Sequence, residues 1–195
     1  MLGCHGVHGA QGRARGQAAY WQHAAGGAIL EREAVEGRVR IVSTDRQAPG
    51  GLARFGLTIC GLDELSDHAA IGISHAVSIL DPGTPVPRVF RSYEAMKDHW
   101  VLRFHDVSRP MPGAQAPESD DVAELLGVGE ALAADAGPGH LLVHCHAGVS
   151  RSTAAAAILL AQHRPGEEIA VLREVVRIRP MAWPNARMIR LADDL

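Results

Sequence analysis

Cys145 and Arg151 stand at the two ends of a loop within residues 141–153, Leu-Leu-Val-His-Cys-His-Ala-Gly-Val-Ser-Arg-Ser-Thr. A cysteine is a strong nucleophile once ionised, and a guanidinium grips two oxygens of an anion in a planar fork that lysine does not reproduce. The apolar run from Leu141 to Val143 reads as a buried strand, and residues 152–160 read as a helix rich in alanine. The loop between them therefore lies where a strand hands over to a helix N-terminus. There the backbone N–H groups are unpaired and the helix dipole is positive, so an anion is favoured. If the loop curls, the N–H groups of His146, Ala147, Gly148, Val149, Ser150 and Arg151 surround an oxyanion the size of a phosphate. The same field favours a thiolate over a thiol.

A cysteine and an arginine at this spacing occur by chance in many chains, so the surroundings carry the argument. His144 precedes the cysteine, Gly148 falls where the backbone must turn tightly, and Ser152 follows the arginine. With these residues in place, His144-Cys145-x-x-Gly148-x-x-Arg151-Ser152 resembles the signature of the cysteine-dependent protein phosphatases. Residues 147–152 most resemble the dual-specificity and compact bacterial tyrosine phosphatase branch. The bland alternative is a buried core cysteine beside an incidental arginine. A metal site built from His140, His144, Cys145 and His146 is the weaker alternative, because successive strand residues point to opposite faces and no CxxC pair completes a ligand set.

The resemblance implies two-step phosphoryl transfer without metal or cofactor. Cys145 would attack phosphorus, Arg151 would bind the phosphate together with residues 146–150, and Ser152 would donate to the departing sulfur. In that branch a strand ends in an aspartate serving as general acid, and Asp106 is the residue that matches. Asp120 and Asp121 are its rivals, but they open a helix, where carboxylates are usually caps. His144 is expected to be a buried orienting residue, and Asn185 to be either a supporting residue near the loop or a plain helix N-cap. The substrate implied is a phosphorylated protein or a small phosphomonoester. Phosphotyrosine comes first, with phosphoserine and phosphothreonine open. Phosphoinositide-directed members tend to carry lysine in the loop, and this loop has none. Three other functions stay open: a non-catalytic phosphate-binding module, a phosphatase for a non-protein phosphate such as a phosphoinositide, and a sulfur or arsenate transferase.

The rest of the chain sets bounds. Its 195 residues suit one domain with an appended segment, divided here into an N-terminal extension over 1–51 and a phosphatase domain over 52–195. A net charge of −3 supplies no basic field for nucleic acid or membrane. Three cysteines at irregular spacing make no disulfide framework, no apolar run is long enough for a membrane span, and residues 1–6 have no signal-peptide core. These features lead to the expectation of a cytoplasmic protein. Oligomeric state has no signature in the sequence.

In chain order, residues up to about 27 read as a flexible extension, on which Cys4, His5 and His8 carry little weight as a metal cluster. A short helix over 28–36, an alternating stretch over 38–42 and a Pro-Gly break near 49–51 follow. Strands are expected over 55–60, 75–80 and 100–104, and helices over 62–70, 119–136, 167–177 and 185–191. Cys60, at a strand end, reads as a core residue rather than a redox partner of Cys145. Strands joined through helices imply an α/β fold, and with the resemblance a three-layer phosphatase-like sandwich whose central, mostly parallel sheet is flanked by helices. Such folds bind ligands at the carboxyl ends of the strands, where the Cys145 loop falls.

Overall fold

The computed structural model describes residues 55–195. The readings that fall before it, including the extension, the 28–36 helix, the 38–42 stretch, the Cys4, His5 and His8 group and the boundary near residue 51, lie outside the described residues.

Four strands form one sheet: β1 (Phe55–Cys60), β2 (His75–Leu80), β3 (Asp98–Arg103) and β4 (Gly139–His144). Their order is β1-β4-β2-β3, and every pairing is parallel, so within the described residues the sheet is wholly rather than mostly parallel. The burial of the strands matches this order. β2 is buried along its whole length and β4 over its last four residues, while β1 and β3 keep partly exposed positions, as edge strands do. β4 therefore runs up the middle of the sheet and delivers Cys145 at its carboxyl end.

Four α-helices follow: α1 (Ser119–Ala134), α2 (Arg151–Gln162), α3 (Glu168–Ile178) and α4 (Ala186–Asp193). Alternation of side chains divides the sheet between two layers. Val77, Ile79, Leu141 and Val143 pack with α1, α2 and α4 through Leu125, Leu132, Leu159 and Met188. Ala76 and Leu142, one residue out of step, pack against Leu65, Phe90 and Tyr93 on the other face. That second layer is made of 3-10 helices, Leu62–Ile71 and Arg88–Ser92, the first of them where a helix is expected over 62–70. In a helix of three residues per turn the buried Leu65 and the partly buried Leu62 fall on one stripe, which faces the sheet.

α2 is the helix that the others enclose. Its first nine residues, Arg151 through Leu159, are all buried, and four consecutive alanines allow close approach on every side. α3 covers one flank with Val171, Val175 and Ile178, the apolar stripe expected from its periodicity.

Candidate active site

Residues 145–150 join β4 to α2 through a backbone that only glycine can complete at one point. Gly148 has φ of 69°. A Cβ there would stand 2.5 Å from the carbonyl carbon of Cys60 and 2.6 Å from the backbone nitrogen of Gly61. Both objections involve rigid backbone. Gly148→Ala is therefore expected to cost about 2–3 kcal/mol, roughly 5–10 °C in unfolding midpoint for a domain of this size. Thermal unfolding of the variant checks it, and an unchanged midpoint would show that the loop does not need this conformation.

The loop carbonyls turn outward, each to a donor. His146 O accepts from Leu62 N at 2.9 Å, Val149 O from Trp183 N at 2.8 Å and from Thr153 Oγ1 at 2.6 Å, and Ser150 O from Asn185 N at 3.2 Å. Arg179 reaches the two carbonyls between, donating from Nη2 to Ala147 O at 3.1 Å and from Nε to Gly148 O at 3.0 Å. Its Nη1 is held by Glu64 Oε1 at 2.8 Å, and Glu64 also accepts from Gly61 N at 2.6 Å. Because a peptide unit carries its N–H opposite its carbonyl, carbonyls pinned outward leave the N–H groups facing inward. Among the described residues no protein atom accepts from the N–H groups of residues 146–151. This arrangement is an anion nest at a helix N-terminus.

Cys145 forms the floor. The residue is only 1 % exposed. The cause is its position at the end of the central strand, on the face that already carries Leu141 and Val143. Its Sγ lies 3.2 Å from the Ser152 hydroxyl. Cys60 is free as well and sits in the opposite-face cluster, where burial pushes its thiol up to about 12. It behaves as a core residue.

Arg151 is 2 % exposed, with Nη1 donating to Asp81 Oδ1 and to the Phe104 carbonyl, both at 2.6 Å. Its Nε is buried without a hydrogen-bond partner. An unpartnered charged donor in the interior is costly unless an anion completes it. Asp106 stands beside it, with Oδ2 3.9 Å from that Nε. The other carboxylate oxygen accepts from Ser150 Oγ at 2.6 Å and Asn185 Nδ2 at 2.8 Å, which leaves Oδ2 as the oxygen without a hydrogen bond. Asn185 makes two sets of hydrogen bonds. It caps α4 by accepting from Arg187 N and Met188 N, and with its amide nitrogen it holds Asp106. The rivals for the acid go elsewhere: Asp121 accepts from Glu118 N at the head of α1, and Asp120 is in the same turn.

His144 is fully buried and hydrogen-bonds the loop through its Nδ1, 3.4 Å from Cys145 O. A carbonyl only accepts, so the proton belongs on Nδ1. Nε2 then accepts from Ser78 Oγ at 2.5 Å, and Ser78 in turn accepts from His99 Nε2 at 2.7 Å. Burial above all pushes His144 down to about 4 from an ordinary 6.5, and also lowers His99. Both stay neutral. The unfolded chain binds protons below pH 6.5 that the folded chain refuses until about pH 4, so stability is complete above pH 6.5 and falls with pH across that window. At pH 5 the loss from His144 alone is about 2 kcal/mol, roughly 4–8 °C in unfolding midpoint. A flat midpoint between pH 7 and 5 would contradict a neutral buried imidazole.

The histidines near the loop do not converge on one point. His140 bonds Thr58, His144 bonds Ser78, and His146 faces Asp81 at 3.7 Å. Among the described residues no group of three His, Cys, Asp or Glu side chains could hold a metal ion. Sequence reasoning missed Asp81, Arg179, Ser78 and His99. Asp81 left one signal, its place directly after β2 at the carboxyl end of the sheet. Arg179 left none, since nothing local ties the end of α3 to a loop 31 residues earlier.

A Cys-to-Arg loop between the central strand of a parallel sheet and a buried helix is the architecture of the cysteine-dependent dual-specificity phosphatases, and the described chain has that fold. It is similar to human DUSP28, with 20 % identity, a TM-score of 0.54 and coverage of 71 % of this chain and 89 % of that one. DUSP15 follows at 21 % identity and a TM-score of 0.53, covering 71 % and 81 %. PTPMT1, solved in complex with PI(5)P, shares 12 % identity at a TM-score of 0.51, covering 71 % and 88 %. No protein-family model and no curated protein matches the sequence.

Proposed function

We propose that the protein is a cysteine-dependent phosphomonoester hydrolase acting on phosphoprotein, phosphotyrosine first, through a cysteinyl-phosphate intermediate. The observation that carries the reading is the pair formed by an inward-facing ring of N–H groups and the unpartnered Nε of buried Arg151. Together they offer an anion the unpaired backbone donors of the loop and one guanidinium edge. That array stabilises the charge of a transferring phosphoryl group, the part a metal ion plays in other phosphotransfer sites.

In the first step Cys145 thiolate forms a sulfur–phosphorus bond as the phosphorus–oxygen bond of the ester breaks. Asp106 Oδ2 gives its proton to the departing oxygen, so alcohol or phenol leaves neutral. In the second step water attacks phosphorus and passes a proton to ionised Asp106. The sulfur departs as thiolate, with the Ser152 hydroxyl 3.2 Å away as its donor. Phosphate is released and both groups return to their starting states.

Phosphotyrosine is placed first because phenolate is a better leaving group than alkoxide. The loop offers an entering substrate no lysine, only the half-exposed imidazole of His146, which weighs against a multiply charged inositol headgroup. A reducing, cytoplasmic setting suits a thiolate nucleophile. Among the described residues no helix is long and apolar enough to cross a membrane.

Hydrolysis of 4-nitrophenyl phosphate and of a phosphotyrosine peptide tests the reading. Turnover of both without added metal is expected. Binding of tungstate without turnover of either would mark a non-catalytic phosphate-binding module instead.

A further inference from the structure

We propose that Asp81 is a positioning residue that selects the edge of the Arg151 guanidinium presented to the anion. The inference rests on the reading of the loop as a phosphate site.

A guanidinium carries five N–H bonds and two forked edges, one formed by Nη1 and Nη2 and the other by Nε and Nη2. Nη1 has two hydrogens, and two acceptors stand at 2.6 Å from it, Asp81 Oδ1 and Phe104 O. Both hydrogens are thereby committed to protein, and the Nη1–Nη2 edge is closed to a ligand. What remains is the Nε–Nη2 edge, to which Nε brings a buried hydrogen with no partner. Asp106 lies against that same Nε at 3.9 Å, so the open edge is on the side where the proton donor waits. Phe104 contributes a backbone carbonyl that no substitution removes, which leaves Asp81 as the side chain in control.

A carboxylate beside the phosphate-binding arginine also has an electrostatic cost, since it repels an incoming dianion and competes for the guanidinium. Its other oxygen faces His146 Nε2 at 3.7 Å, which ties Asp81 to the loop itself as well. Orientation and charge therefore act in opposite directions at this one position, and two substitutions separate them. Asp81→Ala removes the acceptor and the charge. Asp81→Asn keeps a carbonyl oxygen that accepts from Nη1 and removes only the charge.

The experiment measures kcat and KM for 4-nitrophenyl phosphate, tungstate affinity by calorimetry, and the unfolding midpoint, for the full chain and both variants. Asp81→Ala is expected to lose about 10- to 100-fold in kcat and a similar factor in tungstate affinity, the scale of a misplaced binding group. Its midpoint should stay within a few degrees. Asp81→Asn should keep kcat within about fivefold and bind tungstate as tightly as the parent or more so, because the repelling charge is gone. The proposal is overturned if Asp81→Ala behaves as the parent, if Asp81→Asn loses as much as Asp81→Ala, or if the losses follow the unfolding midpoint. Should the parent bind tungstate but hydrolyse nothing, the hydrolase reading falls while the tungstate comparison still decides the role of Asp81. An active parent with an unaffected Asp81→Ala variant removes the positioning role alone.

Discussion

Cys145→Ser is expected to lower kcat by about 10⁵-fold or more, the scale seen when the nucleophile of a covalent mechanism is removed. A serine hydroxyl has no base within reach here, since the nearest polar side chain is the Ser152 hydroxyl at 3.2 Å from the sulfur. The fold should survive. The replacement is slightly smaller, and the buried oxygen it introduces gains a hydrogen bond to Ser152 in place of the sulfur contact. Ligand binding should survive as well, because the N–H ring and Arg151 do not involve the side chain at 145. The variant is thus expected to bind a phosphotyrosine peptide without turning it over. Steady-state assay with 4-nitrophenyl phosphate and peptide binding by calorimetry check both halves. Turnover within tenfold of the parent would eliminate Cys145 as the nucleophile, and with it the cysteinyl-phosphate.

Asp106→Asn is expected to lower kcat by about 10²- to 10⁴-fold on a substrate with a poor leaving group, the usual contribution of a positioned general acid. The amide fills the same space and can still meet Ser150 and Asn185, which now hold Oδ1. What disappears is the proton at Oδ2. The diagnostic is therefore the dependence on leaving group rather than the size of the loss. A 4-nitrophenolate departs without help, so its hydrolysis should fall least, and an alkyl phosphate most. A loss equal across leaving groups would indicate that the variant disturbs the loop through Ser150 instead. The same substitution at Asp120 should be almost silent, since that residue sits in the first turn of α1. If Asp120 carried the effect, the acid would have been wrongly assigned.

Much of this site can be read from thirteen consecutive residues because its defining interactions are local. A strand, a turn that requires Gly148, a helix start at Arg151 and a hydroxyl at Ser152 are consequences of backbone geometry over two short elements. Asp106 and Asn185 are singled out differently, through their match to a family pattern. The structure gives that match a physical content: the α4 cap spends its carbonyl oxygen on the helix and its amide nitrogen on Asp106. The burial of Cys145 has no local signal in the sequence. Exposure at a strand end depends on whether the strand is central or at the edge, and the sheet order that puts β4 between β1 and β2 is not written in β4 itself.

The same distinction separates the parts of Arg151. Its presence, its charge and its place at a helix start belong to the chain as written. The direction of its fork does not, because Asp81 and Phe104 come from the ends of two other strands, 70 and 47 residues away. Arg179 and Glu64, 115 residues apart, likewise become a bracket behind the loop only after α3 and the first 3-10 helix are packed on it. Covalent neighbours and hydrogen bonds of short span decide what kind of chemistry this protein holds. Contacts that must first close long segments of chain decide how its groups are aimed, because no local preference can specify a partner that folding alone brings near.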